Sequence, residues 1–109
     1  MRQKVYLIAN DLSGFIKIGI SREPKKRKAG LESACGYRLR LVAARTPKRE
    51  AREVELELHE LFKGRRKLGE WFDIDEETAK QALLKACPVA KPSNNPYAWR
   101  RHWHRRRRG

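Results

Sequence analysis

The chain has 109 residues, is 39% hydrophobic, and sets 27 Lys and Arg against 13 Asp and Glu for a net charge of +14. That length holds one domain, and no apolar run approaches the roughly 18 residues of a membrane span. The N-terminus has too short an apolar run for a secretory signal. Cys35 and Cys87 cannot make a disulfide framework, which suits an intracellular protein whose partner is a polyanion, most simply nucleic acid.

Residues 4–10 are rich in β-branched and aromatic side chains and read as a strand. Residues 11–14 carry turn residues. Residues 15–21 read as a second strand, so the first two form an antiparallel hairpin. Residues 21–36 read as a helix, with Pro24 in its first turn and Gly36 at its stop. Residues 37–44 alternate, with Leu39, Leu41 and Ala43 on one face and Arg38 and Arg40 on the other, as in a half-buried strand. Thr46 as N-cap and Pro47 at the first helical position predict a helix to about Phe62, stopping at Gly64. Its core stripe is Ala51, Val54, Leu58, Leu61 and Phe62. Arg65-Arg66-Lys67 reads as a basic loop and residues 69–74 as a short strand or extended segment. Asp75 caps a last helix to about Cys87, with Ala79, Ala82, Leu83 and Ala86 inward, and Pro88 ends it. The order β-β-α-β-α-β-α predicts an α/β (α+β) domain over residues 1–87, a small antiparallel sheet with helices packed on it. Residues 88–109 then read as a Pro/Asn linker and an Arg/Trp-rich basic tail, without order of its own.

The charge is unevenly placed. Residues 1–52 hold 14 basic and 4 acidic side chains, residues 53–77 hold 4 basic and 9 acidic, and residues 98–109 hold 6 arginines and no acid. An acidic segment between basic flanks suits an enzyme that sets a cation beside a phosphate better than a protein that coats nucleic acid.

Within that segment Glu55 breaks the apolar stripe of its own helix. At about 100° per residue it lies roughly 40° from Ala51, close to Phe62 and Leu58 on the wheel. A carboxylate there is costly unless it is paired or binds a metal. Glu55 is therefore either a stripe-edge side chain paired to a nearby arginine, or a metal ligand or general base facing a cleft. His59 follows one turn later. It is either a packed helix histidine or a group that hydrogen-bonds near Glu55 and moves a proton.

The hairpin adds Lys4-Val5-Tyr6 on its first strand and Lys17-Ile18-Gly19 on its second, followed by Arg27, Glu55-Leu-Glu-Leu58-His59-Glu-Leu-Phe62 and Gly69-Glu70-Trp71-Phe72. This series, over residues 4 to about 74, resembles the GIY-YIG nuclease family, in its phage-type branch with K-I-G as second motif, then E-x-x-L-H-x-x-F and G-E-W-F. The resemblance implies a three-stranded antiparallel sheet flanked by helices, and phosphodiester hydrolysis assisted by one divalent cation, Mg²⁺ or Mn²⁺. It makes Glu55 the metal ligand and Arg27 a bidentate clamp on the phosphate. Tyr6 positions or deprotonates the attacking water, with Lys17 supplying a cationic field that a phenol of normal pKa about 10 needs. Lys17 stands where the family has a second tyrosine. Glu70 is either a second carboxylate near the metal or a partner of Arg65 or Arg66. The resemblance also places the protein in a bacterial or phage-infected cytoplasm.

Around these residues, Lys25, Lys26 and Lys28 beside Arg27 form either a solvated face or a phosphate-tracking patch, and Arg65 and Arg66 are further candidates for backbone contact. In the tail, Arg100, Arg101, Arg105 and Arg106 with Trp99 and Trp103 suit sequence-independent phosphate contact with stacking, or serve only solubility. Trp71 and Phe72 read as core. The cysteines and histidines lack zinc-site spacing. The leading expectation is a DNA endonuclease or nicking enzyme of low sequence specificity or directed by DNA structure, with RNA left open as a partner. The rival is an inactive DNA- or RNA-binding module of the same fold, and a protein-binding regulatory factor has only size and charge in its favour.

Overall fold

A computed structural model describes residues 2–88. The expected linker and tail, with Arg100, Arg101, Arg105 and Arg106, lie outside the described residues. Strand β1 (Lys4–Asn10) and strand β2 (Phe15–Ser21) form the expected hairpin, in register from Lys4 opposite Ser21 to Asn10 opposite Phe15. Gly14 takes φ 79°, and its N–H donates to the Asn10 carbonyl at 2.8 Å, which closes the turn. Strand β3 (Arg40–Arg45) pairs antiparallel with the other side of β1, with a register shift between Leu7 and Ile8.

The sheet is larger than the three strands expected. It has five, ordered β3-β1-β2-β5-β4, all antiparallel. Strand β4 (Arg66–Leu68) and strand β5 (Trp71–Phe72) extend it beyond β2. The supposed basic loop 65–67 is thus a 3₁₀ turn (Lys63–Arg65) running into β4. These strands are three and two residues long, too short to show a period in sequence.

The central strands are covered on both faces, which is why residues 5–9 form a continuous buried run rather than an alternation. Val5, Leu7, Ala9, Ile16 and Ile18 join Val54, Leu58, Phe72, Ala79 and Leu83 in one core, under helix α2 (Ala51–Leu61) and helix α3 (Glu76–Ala86). On the other face Tyr6, Ile8 and Leu39 pack with Leu31 of helix α1 (Pro24–Cys35) and with Trp71.

The helix ends differ in how well their cues held. Gly36 at φ 80° returns its N–H to the Glu32 carbonyl and ends α1 as expected. Asp75 caps α3, accepting from the Thr78 N–H at 3.0 Å. Helix α2 instead starts at Ala51, not at Thr46 and Pro47. Pro47 is buried, and its carbonyl accepts from Arg2 Nη2 at 2.6 Å, a tie to the N-terminal segment that holds residues 46–50 out of the helix. Leu61, expected in the core stripe, is exposed. Among the described residues no helix is long and apolar enough to cross a membrane.

Candidate active site

The hairpin register sets Tyr6 directly opposite Gly19. The tyrosine folds across the glycine. A Cβ built on Gly19 would lie 2.6 Å from the Tyr6 hydroxyl, 2.7 Å from Cζ and 3.1 Å from Glu70 Oε1. The missing side chain of Gly19 is therefore the space in which a phenol and a carboxylate meet. Glu70 reaches this spot because β5 is short. Its last partner on β2 is Lys17, and the preceding residue, Glu70, accepts the Ile18 N–H on its carbonyl at 3.0 Å.

Helix α2 brings two more groups. Glu55, the residue that broke the stripe, is 2% exposed. Its only ion pair among the described residues is with the exposed Arg52, at a loose 3.7 Å. His59 is nearly buried, its ring tilted against Phe72 with centroids 5.1 Å apart. His59 Nε2 lies 2.9 Å from the Ile18 carbonyl. A carbonyl only accepts, so Nε2 carries the proton and donates, which leaves Nδ1 as the ring nitrogen open to a cation. One donor atom from each of Glu55, His59 and Glu70 falls within 4.8 Å of the others. Magnesium bonds of 2.0–2.1 Å allow two ligands on one ion to stand up to about 4.2 Å apart, so a modest tightening fits the three to a single ion.

The electrostatics divide the two carboxylates. Burial, then the charge and hydrogen bond of Glu70, push the Glu55 carboxyl up to about 7. Burial also acts to raise Glu70, but the hydrogen bond and charge of Lys17, with the hydrogen bond to Glu55, outweigh it and hold Glu70 below its ordinary value. Glu55 thus carries the proton that the two share. A divalent cation bound in its place would neutralise both carboxylates, and the donor set of two carboxylates and an imidazole fits such an ion.

Lys17 is 7% exposed, with Nζ 3.0 Å from Glu70 Oε1 and 5.7 Å from the Trp71 ring centroid. It serves the carboxylate rather than the phenol. The cation that acts on Tyr6 is Arg27, on the exposed side of α1. Burial raises the Tyr6 hydroxyl, Arg27 opposes it, and Glu70 and Glu55 add to the rise. The phenol therefore stays protonated at neutral pH, its oxygen accepting from Arg27 and its proton free to be donated to a bound group.

The other expected residues separate. Lys25 and Lys26 are exposed at the start of α1. Lys28 is bound to Glu32 at 3.2 Å, and Glu32 accepts the Leu39 N–H at 2.8 Å, so this lysine buttresses the link from α1 to β3. Neither Arg65 nor Arg66 pairs with Glu70. Arg66 Nε donates to the Gly69 carbonyl at 2.6 Å, and its guanidinium lies over the Phe72 ring. Phe72 is core, and Trp71 packs beside Tyr6. The space that Gly19 leaves open was not anticipated as a requirement of the site. The sequence carried it only as a glycine in a strand, a common mark of close approach.

The fold is thus a small α+β domain that sets a carboxylate–histidine cluster beside a buried tyrosine and an exposed arginine. The T5orf172 domain matches residues 3–87. The chain belongs to this family, a phage-associated one related to nuclease-type domains of the GIY-YIG and HNH-like kinds. That kinship suggests a nuclease or DNA-binding role. No curated protein and no solved structure matched the chain.

Proposed function

We propose that the protein is a metal-dependent DNA endonuclease of the GIY-YIG type. The observation that carries this reading is the pair of facing carboxylates, Glu55 and Glu70, with His59 in reach, beside Tyr6 and Arg27. Glu55, Glu70 and His59 would hold Mg²⁺ or Mn²⁺, which when bound would supply positive charge to the phosphate and the leaving oxygen. Arg27 clamps a non-bridging phosphate oxygen with a charge that no pH removes. Tyr6 donates its hydroxyl hydrogen bond and fixes the geometry of the attacking water. Lys17 fixes Glu70 and keeps it anionic. Net hydrolysis adds one water across a P–O bond, leaving a phosphate monoester on one strand end and a hydroxyl on the other. The few side chains near Gly19 face a phosphate rather than base edges, so low sequence specificity follows.

One observation favours the rival, an inactive binding module. Lys17 stands where the related nucleases have a second phenol, and it is fully engaged by Glu70. A single assay separates the two. Supercoiled plasmid incubated with Mg²⁺ or Mn²⁺ is nicked by the wild type and not by Glu55→Ala. Equal traces of nicking by both, with plasmid still retarded in a gel, leave only the binding module.

A further inference from the structure

The end of the sheet at which β1 begins and β2 finishes carries an accumulation of cations that no ion pair explains. Arg2, Lys4, Arg22, Lys25, Lys26 and Lys48 are all exposed there. None has a carboxylate oxygen within 4.0 Å among the described residues. They line two concavities that share Arg22. One, of about 480 Å³, includes Arg2, Arg22 and Lys48. The other, of about 440 Å³, includes Lys4, Arg22, Lys25 and Lys26. Two acids, Glu50 and Glu23, lie one in each, so the surface keeps a strong excess of positive charge. Arg49, also on the rim, is already held by Glu57 at 2.8 Å. The tie from Arg2 to the Pro47 carbonyl keeps the segment bearing Lys48 against the N-terminal strand.

Like charges gathered without counter-charges repel one another, and the fold gains nothing from holding them together. A polyanion reverses the sign of that energy. The location then selects which one. Arg22 follows Gly19 by three residues, about 10 Å of extended chain, and Arg27 rises from the helix that starts at Pro24 in the second concavity. A strand whose phosphate sits over Gly19 passes its next phosphates across Arg22.

We propose that Arg2, Lys4, Arg22, Lys25, Lys26 and Lys48 form one phosphate-binding surface that holds the DNA backbone within a few nucleotides of the bond to be cut. This rests on the nuclease reading and adds to it the side of the domain on which the flanking DNA lies. The surface belongs to the domain itself, so grip does not depend on the basic tail alone.

The test is the salt dependence of binding to a fluorescein-labelled duplex, by anisotropy, with the full chain and no divalent cation present. Arg22→Ala/Lys48→Ala removes two phosphate contacts and lowers the slope of log K against log salt by about 2. Arg40→Ala/Lys85→Ala removes the same charge elsewhere and leaves the slope unchanged. Equal melting curves for the first variant and the wild type keep loss of folding out of the comparison. An unchanged slope in Arg22→Ala/Lys48→Ala, or an equal fall in both variants, overturns the proposal. If either result comes with plasmid nicking intact, the nuclease reading survives alone. A wild type that binds no duplex at any salt sinks both.

Discussion

The two ends of the β1–β2 hairpin treat charge in opposite ways. At the turn end, Arg40 lies opposite Ala9 and is bound on two sides, to Asp11 at 2.8 Å and to Glu76 at 2.9 Å. Those pairs link the turn, β3 and the start of α3. At the open end, Arg2, Lys4, Arg22 and Lys48 have no such partners, and one step inward lie Gly19, Tyr6, Glu70 and Glu55. Paired charge is a structural fastening. Unpaired cations beside a buried carboxylate cluster leave positive charge for a bound polyanion to balance, as proposed above. The same residue types therefore do different work according to whether the fold provides their counter-charges.

The comparison breaks most sharply at Gly19. Gly19→Ala places a methyl 2.6 Å from the Tyr6 hydroxyl and 3.1 Å from Glu70 Oε1. Real Cβ contacts do not approach so closely, so the tyrosine must shift, and a displacement near 1 Å in an oriented site costs about 100-fold in rate. Plasmid nicking falls by about that factor, while duplex binding stays, because the cations are untouched. Nicking at the wild-type rate shows instead that the Tyr6 hydroxyl has no part in the chemistry.

Glu55→Gln has a smaller effect of unusual sign. The Glu55 carboxyl lies at about 7 in the fold against an ordinary 4.5. A raised carboxyl favours the protonated form in the folded state, so its stabilisation is complete below pH 4.5 and is lost as pH rises through 7. Above pH 7 the wild type holds a buried anion facing another anion. Glutamine keeps the shape without that charge. The variant is expected to be more stable than wild type by on the order of 1–3 kcal/mol at pH 8, and by little at pH 4, in urea melts, although it cuts no DNA. A loss of stability at pH 8 equal to that at pH 4 contradicts the shared-proton picture.

Glu55 was visible in the sequence because a helix has a definite period, and a carboxylate inside the stripe stands out against it. The hairpin, the Asp75 cap and the Gly36 stop were legible for the same reason: each is set by residues adjacent in the chain. What failed depended on distant contacts. Thr46 and Pro47 look like a helix start, but Pro47 is buried and its carbonyl accepts from Arg2, 45 residues away, and the helix begins only at Ala51. Strands β4 and β5 are too short to carry a pattern, and the pairing of Ile16 and Lys17 with them is tertiary. Neither alternative for Glu70 included its partner: it binds Lys17 and not Arg65 or Arg66, while its carboxylate lies in the cluster with Glu55 and His59. A pairing between residues 53 positions apart leaves no trace in local spacing. Of the cationic surface, Lys25 and Lys26 were expected beside Arg27, but Arg2, Lys4, Arg22 and Lys48 were not, because they sit at or near the ends of three different elements and only folding gathers them.

The turn end gives the mildest test, and it checks the contrast from the other side. Asp11 and Glu76 are both held below the ordinary carboxylate range, each first by its hydrogen bond to Arg40. A lowered carboxyl contributes stability above its unfolded value, and that stability is lost as pH falls through the folded one. Arg40→Ala is therefore expected to lower the melting temperature slightly at pH 7, and the difference from wild type closes as the solution is acidified below the usual carboxylate range. Because the pairs are exposed, added salt at about 1 M, where the screening length is near 3 Å, closes most of it too. DNA affinity in dilute salt stays where it was, since Arg40 already has its anions. If instead Arg40→Ala weakens DNA binding as much as Arg22→Ala does, the two ends of the hairpin are not distinct in function, and the phosphate surface extends along the whole face.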